Sequence, residues 1–96
     1  MKKYESVVLV KSDLSQKQLK EISESIIKKI NEFAKVTKIE DIGKRKLAYE
    51  VRKNKEAYYI LYNFEVEDEN SRNIAEIERF YRITDEILKF IVVKVD

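Results

Sequence analysis

Residues 57–66 read Ala-Tyr-Tyr-Ile-Leu-Tyr-Asn-Phe-Glu-Val. Aromatic and β-branched side chains dominate, glycine and proline are absent, and the stretch is too short for a buried helix, so it reads as a strand. Side chains alternate across a strand, which puts Tyr58, Ile60, Tyr62, Phe64 and Val66 on one face and Tyr59 and Leu61 on the other. Both faces are apolar. A strand of this kind asks for cover on two sides, and that requirement shapes the rest of the reading.

Upstream, Val36 to Arg52 predicts a long, bent strand broken near Gly43, the only glycine of the chain. A lone glycine inside a strand pattern marks a bulge or a close backbone approach. The polar Lys53-Asn54-Lys55 then joins the two strands as a β-hairpin. Further out, Tyr4–Lys11 is a valine-rich strand. A helix follows at Ser15, where Ser15 and Gln18 have capping-box spacing and Leu14 and Leu19 suit a hydrophobic staple. Leu19, Ile22, Ile26, Ile30 and Phe33 make one apolar stripe, whose burial is worth roughly 8–15 kcal/mol before chain entropy is counted. After Val66, Asp68, Glu69 and Asn70 are expected to open a second helix that turns Ile74, Ile77 and Tyr81 inward, their negative charge suiting its N-terminus. Ile87–Val95 is the last strand.

The order β-α-β-β-α-β predicts an α+β, ferredoxin-like sandwich over residues 1–96 as a single domain, with a four-stranded antiparallel sheet and two helices on one face. Two helices cover one face only. If Val8, Val10, Phe90 and Val92 join the helix-facing set, then Val7, Leu9, Tyr59, Leu61, Ile91 and Val93 form an open apolar patch. Monomers seldom leave such a patch bare, so it is expected to receive another protein, the alternatives being self-association or cover by the chain's own ends.

Composition narrows the chemistry. With no cysteine and no histidine, the chain lacks a thiolate nucleophile, the commonest general base and the commonest metal ligand. No site of catalysis, metal or cofactor is expected. No signal peptide or membrane span is read in the sequence, and a cytoplasmic location is expected. The formal net charge of +2 hides a division: from Lys35 to Lys55 eight cations face three anions, and from Glu65 to Glu86 eight anions face three cations. Lys44, Arg45 and Lys46 follow the glycine directly. Cations held on a sheet beside a bend point to a polyanion.

The motifs in register carry a resemblance. Lys2-Lys3-Tyr4-Glu5, Glu40-Asp41-Ile42-Gly43-Lys44-Arg45-Lys46-Leu47-Ala48-Tyr49, Tyr81-Arg82-Ile83-Thr84-Asp85 and Val92-Val93-Lys94 together resemble the bacterial small-subunit ribosomal protein family called S-six, over nearly the whole chain. Glu50 stands where that family commonly has proline, and Ile42 replaces a frequent tryptophan or leucine. The resemblance implies a structural role in the 30S subunit, binding the central domain of 16S rRNA as a heterodimer with ribosomal protein S-eighteen. On that reading the RNA-binding candidates are Lys2, Lys3, Arg45 and Arg82 within the matching motifs, and Lys44, Lys46, Lys53 and Lys89 by charge and position. Arg82 has a structural alternative, an ion pair with Asp85. The patch of Val7, Leu9, Tyr59, Leu61, Ile91 and Val93 would meet the partner protein.

Other classes share the fold. An acylphosphatase-like enzyme needs a glycine-rich phosphate loop after the first strand, where this chain has Lys11-Ser12-Asp13-Leu14. A small-molecule-binding regulatory domain of this fold is commonly a side-by-side dimer. Stacking of bases on Tyr49, Tyr58, Tyr59 or Tyr62 is a lesser alternative, because the sequence lacks the aromatic-rich motif of RNA-recognition domains.

Overall fold

A computed structural model describes residues 2–67 and 71–95. Its elements are β1 (Lys2–Lys11), α1 (Gln16–Asn31), β2 (Lys35–Val51), β3 (Asn54–Val66), α2 (Ser71–Ile83) and β4 (Ile87–Lys94). The strands form one sheet in the order β2-β3-β1-β4 with every neighbouring pair antiparallel. The ferredoxin-like α+β sandwich expected from the sequence is the fold observed. The opening of the second helix at Asp68, Glu69 and Asn70 lies outside the described residues.

Alternation along the strands decides where the core sits. Val8, Val10, Ile60, Tyr62, Phe64 and Val66 are buried together with Ile22, Ile26 and Ile30 of α1 and Ile77 and Tyr81 of α2. Both helices therefore lie on one face. Leu19, Phe33 and Ile74 pack on the margin of this core and are half-buried. The cap of α1 forms as read: the Gln18 N–H donates to the Ser15 hydroxyl at 3.1 Å, and the Ser15 N–H donates to Gln18 Oε1 at 2.9 Å. Two backbone donors at the helix start are thereby satisfied by its own side chains.

Two hydroxyl pairs cross the core. Ser6 Oγ and Tyr81 Oη lie 2.8 Å apart, both groups almost wholly buried, and Ser23 Oγ and Tyr62 Oη lie 2.9 Å apart. Loss of solvent disfavours a buried phenolate, so the Tyr62 hydroxyl is pushed up to about 12, and that of Tyr81 is raised as well. A proton retained in the folded state and lost in the unfolded one stabilises the fold below pH 10; that contribution disappears as pH rises from 10 through the folded value. Stability to urea is expected to be flat from pH 8 to 9.5 and to fall steadily above pH 10. Tyr81→Phe should lessen that fall while lowering stability at pH 8 by about 1–3 kcal/mol, because the Ser6 hydroxyl loses its partner. Denaturation midpoints across this range provide the check.

The hairpin departs from its sequence reading in three ways. First, β2 is not broken at Gly43. It continues through a register shift between Asp41 and Gly43, a bulge in which Gly43 has φ +99°. A Cβ there would meet nothing nearer than the Arg45 guanidinium at 3.7 Å, so the glycine answers a backbone need and not a lack of space. Gly43→Ala should cost about 1–2 kcal/mol in thermal or urea unfolding. Second, the connection is not Lys53-Asn54-Lys55 but the two-residue turn Arg52-Lys53, both at positive φ (47° and 67°), and Asn54 already belongs to β3. Such primed turns match the twist of a hairpin, and the Asn54 amide donates to the carbonyls of Val51 and Arg52 to hold it. Third, between Lys46↔Glu56 and Val51↔Asn54 the four residues Leu47–Glu50 oppose Lys55 alone. The excess on β2 bends the ribbon as it leaves the sheet.

β1 also starts earlier than the expected Tyr4, because Lys2 pairs with Val66 and Lys3 with Glu65. A cross-strand partner draws two charged residues into a strand that hydropathy alone would begin later.

Candidate RNA and partner-protein surfaces

The face turned away from the helices is built from the odd-numbered residues of β1 and β3. Its central row runs Glu40, Leu61, Val7 and Ile91 across the four strands, and the next runs Gly43, Tyr59, Leu9 and Lys89. Ile91 and Val93 are about half exposed, at 52% and 44%, and Val95 beside them is similar at 49%. Val7, Tyr59 and Leu61 are partly exposed. Five of the six residues assigned from sequence thus present surface on one open face. Leu9 is the correction. It points the same way yet is only 6% exposed, with Tyr59 and Lys89 beside it in the ladder. It forms part of the floor of the patch and offers little area for contact.

The cations separate into groups. Residues beyond Lys46 and Glu56 lie past the end of β1, whose last pair is Lys11↔Ala57, so the ribbon carries Lys44, Arg45, Lys46, Lys53 and Lys55 to one end of the sheet. All five side chains are exposed. Among the described residues none of them forms an ion pair; Arg45 donates to the Lys44 carbonyl oxygen at 3.0 Å. Alternation splits the triplet. Lys44 sits opposite Tyr58 on the helix side, Lys46 shares that side, and Arg45 sits opposite Ala57 on the open side. The triplet is therefore shared between the two faces, because adjacent strand residues cannot point the same way.

The remaining candidates lie elsewhere. Lys2 and Lys3 are at the far end of β1, roughly 30 Å of strand from Lys11 at about 3.3 Å per residue. Lys89 is exposed on the open face next to Leu9. Arg82 is on α2, with its guanidinium over the Phe90 ring at 5.8 Å. It does not pair with Asp85 as the alternative reading supposed. Asp85 instead meets Lys11 Nζ at 3.3 Å and Arg52 Nη1 at 3.5 Å. Sequence reasoning missed Arg52 altogether, because nothing local links residue 52 to residue 85.

The tyrosines also divide. Tyr62 is buried, and Tyr58 donates to Asp41 Oδ2 at 2.7 Å, a bond to carboxylate that raises its pKa. Tyr59 lies on the open face, and Tyr49 is exposed on the ribbon. Among the described residues no row of exposed aromatics of the kind that stacks bases is assembled on the sheet. At the β1–α1 junction the capping box occupies two of the backbone donors, those of Ser15 and Gln18, and Asp13 adds negative charge, which suits a phosphate poorly. Among the described residues no group of acidic side chains is placed to hold a metal ion, and no helix is long and apolar enough to cross a membrane.

Comparison with known proteins bears on these surfaces. The family model described as ribosomal protein S6 matches residues 3–94. The small ribosomal subunit protein bS6 of Caldanaerobacter subterraneus subsp. tengcongensis is 37% identical, the alignment covering 100% of this chain and 99% of that protein. The protein of the same name from Heliobacterium modesticaldum is 38% identical, covering 100% and 98%. The crystal structure of 30S ribosomal protein S6 from Thermotoga maritima superposes with a TM-score of 0.89 at 30% identity, covering 98% of this chain and 87% of that one. Those relatives are ribosomal proteins and not enzymes, in keeping with a site built of surfaces instead of a reactive centre. A match along essentially the whole length, in sequence and in fold alike, means that the chain belongs to the ribosomal protein S6 family.

Proposed function

We propose that this chain is a structural component of the small ribosomal subunit that binds the central domain of 16S rRNA together with ribosomal protein S-eighteen, as a heterodimer. The observation that carries this reading is the bare side of the sheet. Val7, Tyr59, Leu61, Ile91 and Val93 face outward with both helices on the opposite side, and a surface of that kind calls for a protein partner. The ribbon cations, exposed and without acidic partners among the described residues, supply the complementary attraction for phosphate.

Affinity on this reading comes from charge on phosphate, and the shape of the folded RNA selects the site. Lys44, Arg45, Lys46 and Lys53 act together at the ribbon. Lys2, Lys3, Arg82 and Lys89 are separate contacts, placed so that RNA would have to reach several sides of the protein. The ribosome is then the place of action, in the cytoplasm. No membrane or small-molecule substrate enters.

Sedimentation tests the proposal directly. A tagged chain expressed in a bacterial host is expected to travel with 30S subunits at low salt and to leave them with S-eighteen attached as salt rises. A chain that stays at the top of the gradient, or leaves alone at every salt concentration, would count against it.

A further inference from the structure

We propose that Arg52, bound to the carbonyls of Asp85 and Ile87, forms a clasp that fixes the direction of the β2–β3 ribbon, making it a positioning residue for RNA binding. Arg52 sits at the tip of the hairpin in a left-handed conformation that bulky side chains seldom adopt. Its Nη2 donates to two backbone oxygens, those of Asp85 at 3.0 Å and Ile87 at 2.7 Å, while Nη1 lies 3.5 Å from the Asp85 carboxylate. The same carboxylate accepts from Lys11 Nζ at 3.3 Å, and the Lys11 N–H donates to the Glu86 carbonyl at 3.0 Å. Three segments distant in sequence therefore meet on one short loop.

Geometry shows what the clasp holds. In the sheet β1 lies between β3 and β4, so the hairpin tip must cross the end of β1, a distance of about 10 Å at the usual strand spacing, to reach the start of β4. The four-against-one bulge at Leu47–Glu50 gives the ribbon its bend. Beyond Lys11 the ribbon is two strands wide, and among the described residues its only hydrogen bonds or ion pairs to another segment are those of Arg52; an isolated hairpin is marginal in water. The forked guanidinium on carbonyl oxygens supplies a fixed point, a pattern that an ammonium group cannot reproduce. Arg52 is thus spent on the protein's own backbone, while Lys44, Lys46 and Lys53 stay free for phosphate.

This inference rests on the RNA reading above, and its test separates the two. Asp85→Asn and Arg52→Lys are compared with the unaltered chain. Arg52→Lys keeps the charge and loses the fork on the Asp85 and Ile87 carbonyls. Asp85→Asn keeps both carbonyls and removes only an ion pair whose carboxylate is 81% exposed, so it serves as the control, with exchange and affinity expected to stay within about twofold. Amide hydrogen exchange of residues 46–55 in the free protein is expected to quicken about tenfold in Arg52→Lys, with the rest of the sheet unchanged. Affinity for a transcript of the 16S central domain, measured in the presence of S-eighteen, should drop about three- to tenfold in Arg52→Lys. Unchanged binding or unaltered exchange in Arg52→Lys overturns the clasp. Failure of the unaltered chain to bind the transcript removes the RNA reading and the positioning role with it, while the exchange rates still tell whether the ribbon is held.

Discussion

Leu61→Lys should abolish recovery of the proposed S-eighteen partner while the isolated protein stays folded. Leu61 lies in the middle row of the open face, between Glu40 on β2 and Val7 on β1. A charge at the centre of an apolar interface must be desolvated when the partner docks, and central positions carry most of the binding energy. A loss of 2 kcal/mol or more, beyond about thirtyfold in Kd, is expected. The fold should tolerate the change, because Leu61 is only half-buried and the new ammonium stands opposite Glu40. Co-purification reads the binding and far-UV circular dichroism reads the fold. An intact complex with a folded variant would move the interface off this face.

The second large effect concerns the ribbon. Lys44→Ala with Lys46→Ala removes two cations from the same side of β2, where both are exposed and lack ion pairs among the described residues. Affinity for the rRNA transcript is expected to fall on the order of tenfold near 0.1 M salt. The slope of log K against log salt should flatten by roughly 1.4 to 1.8, the counterions of two phosphates. Arg45→Ala, on the opposite side, should remove about half as much. If one strand of RNA tracks only the helix side, Arg45→Ala will leave the slope unchanged and the lysine pair will carry the whole effect. Titrations at three or four salt concentrations distinguish these outcomes. An unaltered slope in the double variant would take the ribbon out of the RNA site.

Periodicity made most of the architecture legible. The stripe of Ile22, Ile26 and Ile30 and the alternation of Ile60, Tyr62, Phe64 and Val66 state in one dimension which face each element buries, and all seven are in the core. The cap at Ser15 was equally plain, because its two hydrogen bonds span three residues. The glycine signalled a bulge, and a bulge with positive φ is there. Reading failed where partners are far apart in the chain. The turn was placed a residue late because Arg52 and Lys53 carry no turn signature of their own; their left-handed backbone is accompanied by the Asn54 amide and by bonds to the loop before β4.

Sequence alone determined which residues are apolar, how they alternate, and that the open side of the sheet would bear Val7, Tyr59, Leu61, Ile91 and Val93, since a strand offers its side chains only two directions. It also determined the charges of the ribbon. Tertiary structure alone decided that Leu9 is covered, that Lys44 and Arg45 face opposite ways at the last rows of the sheet before the ribbon leaves it, and that Asp85 takes Arg52 and Lys11 in place of Arg82. The reason is physical: local pattern records the preference of each residue for water or core, whereas cover, direction and ion pairing depend on which distant segments the closed chain brings within a few ångströms.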